Sequence, residues 1–170
     1  MGGIMKRIYL YIGIFIILVF SFFSCYEISP PEIQIWKTSQ HIFSVTQSDS
    51  LINVDSTTFW VRNGVDSKLL GYYAEFYRST LYGEPNIFLY EDYPYYLELS
   101  IRASVRKEDT VLTTLLDMPI HIREAVEMMY SVPESEWKSI QVSVNFFGED
   151  AYNEGKTFRV VQDYTLYRAH

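Results

Sequence analysis

Three histidines, one cysteine and a cluster of tyrosines are the residues of this chain on which chemistry would have to be built. His41, His121 and His170 stand far apart and form neither an H-x-x-x-H nor an H-E-x-x-H unit, so no histidine metal centre is expected. Cys25 is the only cysteine, which excludes an intrachain disulfide, and no G-x-S-x-G elbow marks a nucleophilic serine. Glu75 with Glu98, or Glu91 with Asp92, has the residue types of a glycosidase pair. With 21 acidic residues in 170, such neighbours are ordinary. Glu149-Asp150-Ala151-Tyr152-Asn153-Glu154 offers oxygen ligands but lacks the D-x-[DN]-x-[DN]-G order of a calcium loop, and reads as a solvated hairpin turn. No catalytic residue, metal or cofactor is assigned, and the chain is expected to bind rather than to catalyse.

Tyrosine is the compositional outlier, with 15 in the chain. Eight of them fall between Tyr72 and Tyr96: Tyr72, Tyr73, Tyr77, Tyr82, Tyr90, Tyr93, Tyr95 and Tyr96. Two roles fit. The rings pack in a core and lie singly on a sheet, or Tyr73, Tyr77 and some of Tyr90, Tyr93 and Tyr95 share an exposed face. Tyrosine suits such a face because it joins a rigid apolar body to a polar tip. The face would dock another protein or stack on sugar rings, with Tyr93-Pro94-Tyr95 beside Glu91-Asp92 as its rim.

The address is written nearer the start. Lys6-Arg7 precede an apolar run over residues 8–20, then Ser21-Phe22-Phe23-Ser24-Cys25, the layout of a secretory signal peptide. The uncharged stretch is about 17 residues, short of the roughly 20 that span a bilayer. Ordinary signal peptidase wants small residues at −1 and −3; Ser24 fits and Phe22 does not. Phe22-Phe23-Ser24-Cys25 resembles the bacterial lipobox, in which a small residue precedes an acylated cysteine. The resemblance covers residues 1–25 and implies thioether lipidation of Cys25, which accounts for a lone thiol in an exported chain. An uncleaved single-pass anchor is the competing reading. A buried core helix is disfavoured, since residues 8–23 are apolar all round. Met5-Lys6-Arg7 is a compact n-region, so Met5 is the expected start.

Residues 1–24 are thus read as signal peptide, 25–31 as the lipidated cysteine with a short Pro30-Pro31 tether, and 32–170 as a single domain. Net charge is −7 and becomes about −9 without the leader, which argues against nucleic acid and against attraction to anionic surfaces. Period-two alternation marks strands at residues 32–36, 69–81, 95–107, 140–146 and 157–168, with weaker ones at 41–45 and 111–116; 51–54 and 57–62 read as a strand pair or one bent strand, and 87–90 is a short apolar run. On the 69–81 strand, Leu70, Tyr72, Ala74 and Phe76 are expected inside. Leu97, Leu99, Ile101, Ala103 and Val105 share the inner face of the 95–107 strand. Asn63-Gly64 is a turn, and residues 148–155 are a loop. Ile122, Ala125, Val126 and Met129 fall at helical spacing, predicting one short helix over 119–130 with Pro119 in its first turn. Short strands between turns give a mainly β antiparallel sandwich. The stretch 139–168, with VNFFGEDAYNEGKTFRV at its centre, resembles the last hairpin of immunoglobulin-like and fibronectin type III sandwiches, which implies that fold for the domain.

These observations describe a membrane-anchored, extracytoplasmic envelope lipoprotein, on the outer membrane or cell surface, working as a binding or structural module. Its partner would be another envelope protein or, alternatively, a surface or wall glycan. Acylation needs the thiol, so Cys25→Ser should block both lipid attachment and cleavage. Labelled fatty acid should enter the wild type and not the variant, whose leader stays on; an unmodified Cys25 in a wild-type chain that keeps Lys6 and Arg7 refutes the lipidation.

Overall fold

A computed structural model describes residues 29–79, 86–104, 110–153 and 155–169. The leader, Cys25, Tyr26, Tyr82, residues 105–107 of the expected long strand, Glu154 and His170 lie outside the described residues. Among those described, no helix is long and apolar enough to cross a membrane.

Alternation of branched and aromatic residues with polar ones builds the strands β1 (Ile33–Thr38), β2 (Ile42–Val45), β3 (Leu51–Val61), β4 (Ser67–Arg78), β5 (Ile87–Glu91), β6 (Tyr95–Ile101), β7 (Leu112–His121), β8 (Ser139–Asp150) and β9 (Thr157–Arg168). One helix, α1 (Arg123–Tyr130), joins β7 to β8. A smaller sheet has the order β1-β3-β7; a larger one runs β2-β9-β8-β4, with β5 and β6 both on the free edge of β4. All pairs are antiparallel except β2 with β9. The two sheets pack as a β-sandwich over a core that includes Val54, Phe59, Leu69, Phe76, Val144 and Phe146. Fully burying one such side chain contributes about 1.5–3 kcal/mol.

Tyrosine hydroxyls tie the layers across this core. Tyr164 of β9 is buried, and its Oη lies 3.3 Å from Thr38 Oγ1 of β1 and 3.4 Å from Thr57 Oγ1 of β3. Tyr72 Oη of β4 donates to Pro119 O of β7 at 2.7 Å. Tyr130 Oη of α1 donates to Val45 O of β2 at 2.9 Å. At the other end of α1, Ile122 at the N-cap has no side-chain oxygen. The backbone N–H of Ala125 instead donates to Tyr90 Oη of β5 at 3.1 Å. Arg168 of β9 closes the C-terminus, its Nη2 donating to Met129 O and Val132 O at 3.0 Å each. Its guanidinium also stands 4.2 Å from the Tyr130 ring centre. The helix thus draws its caps from the sheet.

Several expectations are corrected by local physics. The helix begins at Arg123, because residues 119–121 finish β7: Pro119 pairs with Asn53 at the sheet edge, where a missing N–H is tolerated. Ile122, Ala125, Val126 and Met129 are buried as their spacing required. In β4 the register shifts between Leu69 and Gly71 against both neighbours, so Leu69 is buried and Leu70 is only partly so. β6 stops at Ile101, opposite the first residue of β4, because there is no further partner to pair with. β8 continues through Gly148 to Asp150, leaving 151–156 as the loop; a Cβ at Gly148 would fall 2.5 Å from Phe158 Cζ. Residues 51–61 form one strand, which is one of the two readings open for 51–62, and β7 runs on past Leu116 to His121. In the β3–β7 ladder the inward parity changes from Ile52 and Val54 to Thr57, Phe59 and Val61. The change falls opposite Asp117, whose φ is 52°, a left-handed conformation that Asp tolerates.

Burial, the largest cause in each case, raises the phenol pKa of Tyr72, Tyr90 and Tyr164 above the ordinary 10.0. As pH rises the unfolded chain then loses these protons first, and stability falls. The unfolding free energy should be untouched by these groups below about pH 9 and decline above about pH 10, by up to about 1.4 kcal/mol per pH unit for each tyrosine. Urea melts across that range should show a shallower decline for Tyr164→Phe; an unchanged slope would remove Tyr164 from the account.

Candidate functional site

On the outer face of the larger sheet, half-buried Tyr73, Tyr77 and Phe147 stand beside exposed Phe88 and Tyr96. Odd-numbered residues of β4 after the bulge, of β8 and of β9 face outward there: Tyr73, Glu75 and Tyr77; Ser143, Asn145 and Phe147; Arg159, Val161 and Asp163. From the edge come Phe88, Glu91 and Tyr96. Gly71 supplies the space. A Cβ on it would lie 2.8 Å from Phe147 Cζ and 2.5 Å from Tyr95 O, so the Phe147 ring lies over bare backbone.

Phe147 is the hub. Tyr96 meets it edge-on at 6.1 Å and 82°, and Tyr73 meets it tilted at 6.3 Å and 40°. A second pair, Tyr77 with Phe88, is edge-on at 5.6 Å and 69°. Arg159 joins the pieces: its guanidinium carbon lies 5.4 Å from the Tyr73 ring centre. Its Nε and Nη2 donate to Asn145 Oδ1 at 2.9 and 2.6 Å, and Nη2 reaches Glu75 Oε1 at 3.3 Å. Tyr77 Oη donates to the other oxygen of Glu75 at 2.9 Å. The ion pair is largely exposed on the Arg159 side and is worth under about 1 kcal/mol. Its effect is positional, since it holds Tyr73 between Phe147 and a cation. Burial raises the Tyr73 and Tyr77 pKa values, Arg159 opposing it at Tyr73 and the Glu75 hydrogen bond adding to it at Tyr77. Both phenols are therefore neutral donors at physiological pH.

The five tyrosines singled out in the sequence do not share this face. Tyr73 and Tyr77 lie on it. Tyr90 turns inward and stacks on buried Phe76 at 4.6 Å and 11° while capping α1. Tyr95 stacks on Tyr72 at 5.2 Å and 23°, on the core side of β6. Tyr93 is 92% exposed at the tip of the 92–94 kink between β5 and β6, where Pro94 interrupts the ladder. Tyr96, 74% exposed, Phe147, Phe88 and Arg159 were missed. The doublets Phe146-Phe147 and Tyr95-Tyr96 were the available signal, because in a strand one member of an adjacent pair must face out.

Other chemistry-bearing residues are engaged or isolated. Among the described residues no group of three His, Cys, Asp or Glu is placed to hold a metal. Asp150 is buried, and its Oδ1 accepts from the backbone N–H of Tyr152 and Asn153 at 2.8 and 3.2 Å, so the acidic hairpin loop spends this carboxylate on its own backbone. His41 stacks beside Tyr164 at 6.2 Å, while His121 ends β7.

Tyr90→Phe should lower the unfolding free energy by about 1 kcal/mol, the cost of losing a helix cap, with an unchanged denaturant m-value. Tyr93→Ala should move it by no more than about 0.5 kcal/mol, and chemical denaturation of both variants checks the contrast. No protein-family model and no curated protein matches the chain, so its function is argued from this geometry.

Proposed function

We propose that the chain is a lipoprotein of the bacterial cell envelope, held through acylated Cys25 on the outer membrane or cell surface, whose sandwich docks a protein partner and has no catalytic role. The observation that carries the docking reading is the Tyr96–Phe147–Tyr73 cluster, exposed at Tyr96 and half-buried at Phe147 and Tyr73, with half-buried Tyr77 and exposed Phe88 beside it. The row Glu91, Glu75, Ser143 and Asp163 crosses the sheet between those two ring groups and Arg159 lies against Tyr73, so aromatic and charged groups alternate on one face, a mixture that suits a protein partner. Sugar stacking favours coplanar rings with a free face. Here the outward rings meet at 82°, 69° and 40°, while the near-parallel pairs Tyr72–Tyr95 and Phe76–Tyr90 spend a face on each other. Protein is therefore favoured over glycan as the partner. The strand order supports an immunoglobulin-like sandwich type: β1-β3-β7 opposes β9-β8-β4, and the early strand β2 runs parallel to the last strand.

A photo-crosslinking residue at position 96 in intact cells tests the docking. It should yield one discrete protein adduct, whose yield drops several-fold with Tyr73→Ala, whereas the same probe at Asn53, exposed on the smaller sheet, should yield none. A protease-resistant glycan adduct would favour the carbohydrate reading, and equal adducts at both positions would sink the face assignment.

A further inference from the structure

We infer that the sandwich end bearing Asn63, Asp66 and Tyr152 faces the lipid bilayer, with the Tyr152 ring at the lipid–water interface. The inference rests on the membrane anchor proposed above and adds to it a fixed orientation. Its first support is a clip at the point where the tether enters the fold. Asn63 Nδ2 donates to Pro30 O at 2.8 Å, and the backbone N–H of Glu32 donates to Asn63 Oδ1 at 3.1 Å. The backbone N–H of Arg62 adds a bond to Glu32 O at 2.9 Å, and Pro31 is buried between them. The chain is therefore bonded to the domain from Pro30 onward.

Length then decides which end meets the membrane. From Cys25 to Pro30 is five residue steps, at most about 17 Å of extended chain. β3 alone, with 11 residues, is about 36 Å long, and it runs from the far end to the Asn63 turn. The far end, with the 46–49 turn, lies about twice the tether's reach from Pro30. A closed clip thus keeps the near end within one tether length of the lipid whether Cys25 is acylated or the hydrophobic run stays as an anchor.

The surface at that end suits a bilayer. Tyr152 is 84% exposed, yet it is held in place: its backbone N–H donates to Asp150 Oδ1 at 2.8 Å and its hydroxyl reaches Asp66 Oδ2 at 3.3 Å. Asp66 is fixed in turn, its Oδ1 accepting from the backbone N–H of Ala103 at 2.7 Å and its carbonyl from Ala151 at 2.8 Å. A fixed, exposed tyrosine is the side chain enriched at membrane interfaces. Arg62 and Arg102 are exposed at the same end beside exposed Glu32 and half-buried Asp66, so charge there is mixed and the tether and the Tyr152 ring, not electrostatic attraction, set the orientation.

The test uses the full chain, recovered from membranes and placed in phosphatidylethanolamine–phosphatidylglycerol vesicles that contain doxyl-labelled lipid. Tyr152→Cys and, separately, Gln47→Cys at the far turn are labelled with a small fluorophore, and the mass of the Cys25 peptide is read in parallel. Lipid quenching several-fold stronger at 152 than at 47, and a smaller difference once Asn63→Ala opens the clip, is the expected result. Equal quenching, or none at either position, in a membrane-bound chain overturns the orientation and leaves the anchor standing. A chain that fractionates as soluble with an unmodified Cys25 overturns the anchor and the orientation together.

Discussion

The fold depends on holding two sheets together without a covalent cross-link, and the buried Tyr164 hydroxyl shows how that is done. It sits between Thr38 and Thr57, so a residue of the larger sheet shares its polar tip with both of the paired strands β1 and β3. Its place is also where the chain passes from β1 to β2 and thereby changes sheets. One hydrogen bond of this kind nets only about 0.5–1.5 kcal/mol, less than the ring's own burial contributes. Directionality is what it adds. Two apolar faces can slide over one another with little change in buried area, whereas a hydroxyl and two threonines at 3.3 and 3.4 Å fix the register. Tyr72, Tyr90 and Tyr130 repeat the device between other layers. The abundance of tyrosine is in good part a solution to inter-layer pinning in a domain with no disulfide.

The same constraint shapes the docking face. Because Tyr72 must reach inward to Pro119, its neighbour Tyr73 is delivered to the outside, and the bulge before Gly71 sets that parity. Gly71 then opens the space that Phe147 fills, and Tyr96 leans on Phe147. Core and face are two consequences of one strand's register. The face is also stiffened by contacts among its own members, since Arg159 bonds Asn145 and Glu75 and lies against Tyr73. Side chains already ordered before a partner arrives lose less rotamer freedom on binding.

Sequence pattern disclosed the strands because their burial alternates, and β9 begins and ends where its alternation does, at Thr157 and Arg168. It disclosed the buried stripe of α1 for the same reason. What it hid was set by tertiary partners. Pro119 reads as a helix start, yet its carbonyl is wanted by Tyr72 and its missing N–H falls on a sheet edge. Residues 102–104 continue the alternation of β6, but β4 has already ended. The site was half legible for a related reason. Eight tyrosines within 25 positions announce a feature, but their outward or inward sense depends on a bulge and a proline kink that shift parity. Tyr90 and Tyr95 turn away from the outer face by that shift, Tyr95 staying 49% exposed, and Phe147 lies on a strand read only for its core residues.

The two ends of the sandwich satisfy their exposed backbone by different means, and the difference bears on how the molecule can work beside a membrane. At the helix end, long side chains do it: Tyr90 and Arg168 of the sheet cap α1, and Trp137 Nε1, from the connection to β8, donates to Ser139 O at 2.8 Å. At the tether end, short side chains serve. Asn63, Asp66 and Asp150 each bond two or more groups of neighbouring loops, so 62–66, 102–104 and 151–153 form one linked cluster with the entering chain. On the proposed anchor, a tether fixed into such a cluster would pass membrane attachment directly to the sheet. On that anchor, the aromatic face, running along β4 and β8 from that end, would be presented beside the bilayer and at a limited height above it. A partner that is itself held in the same membrane meets that face at high effective concentration, so an interface of a few rings suffices where a freely diffusing partner would need a larger one.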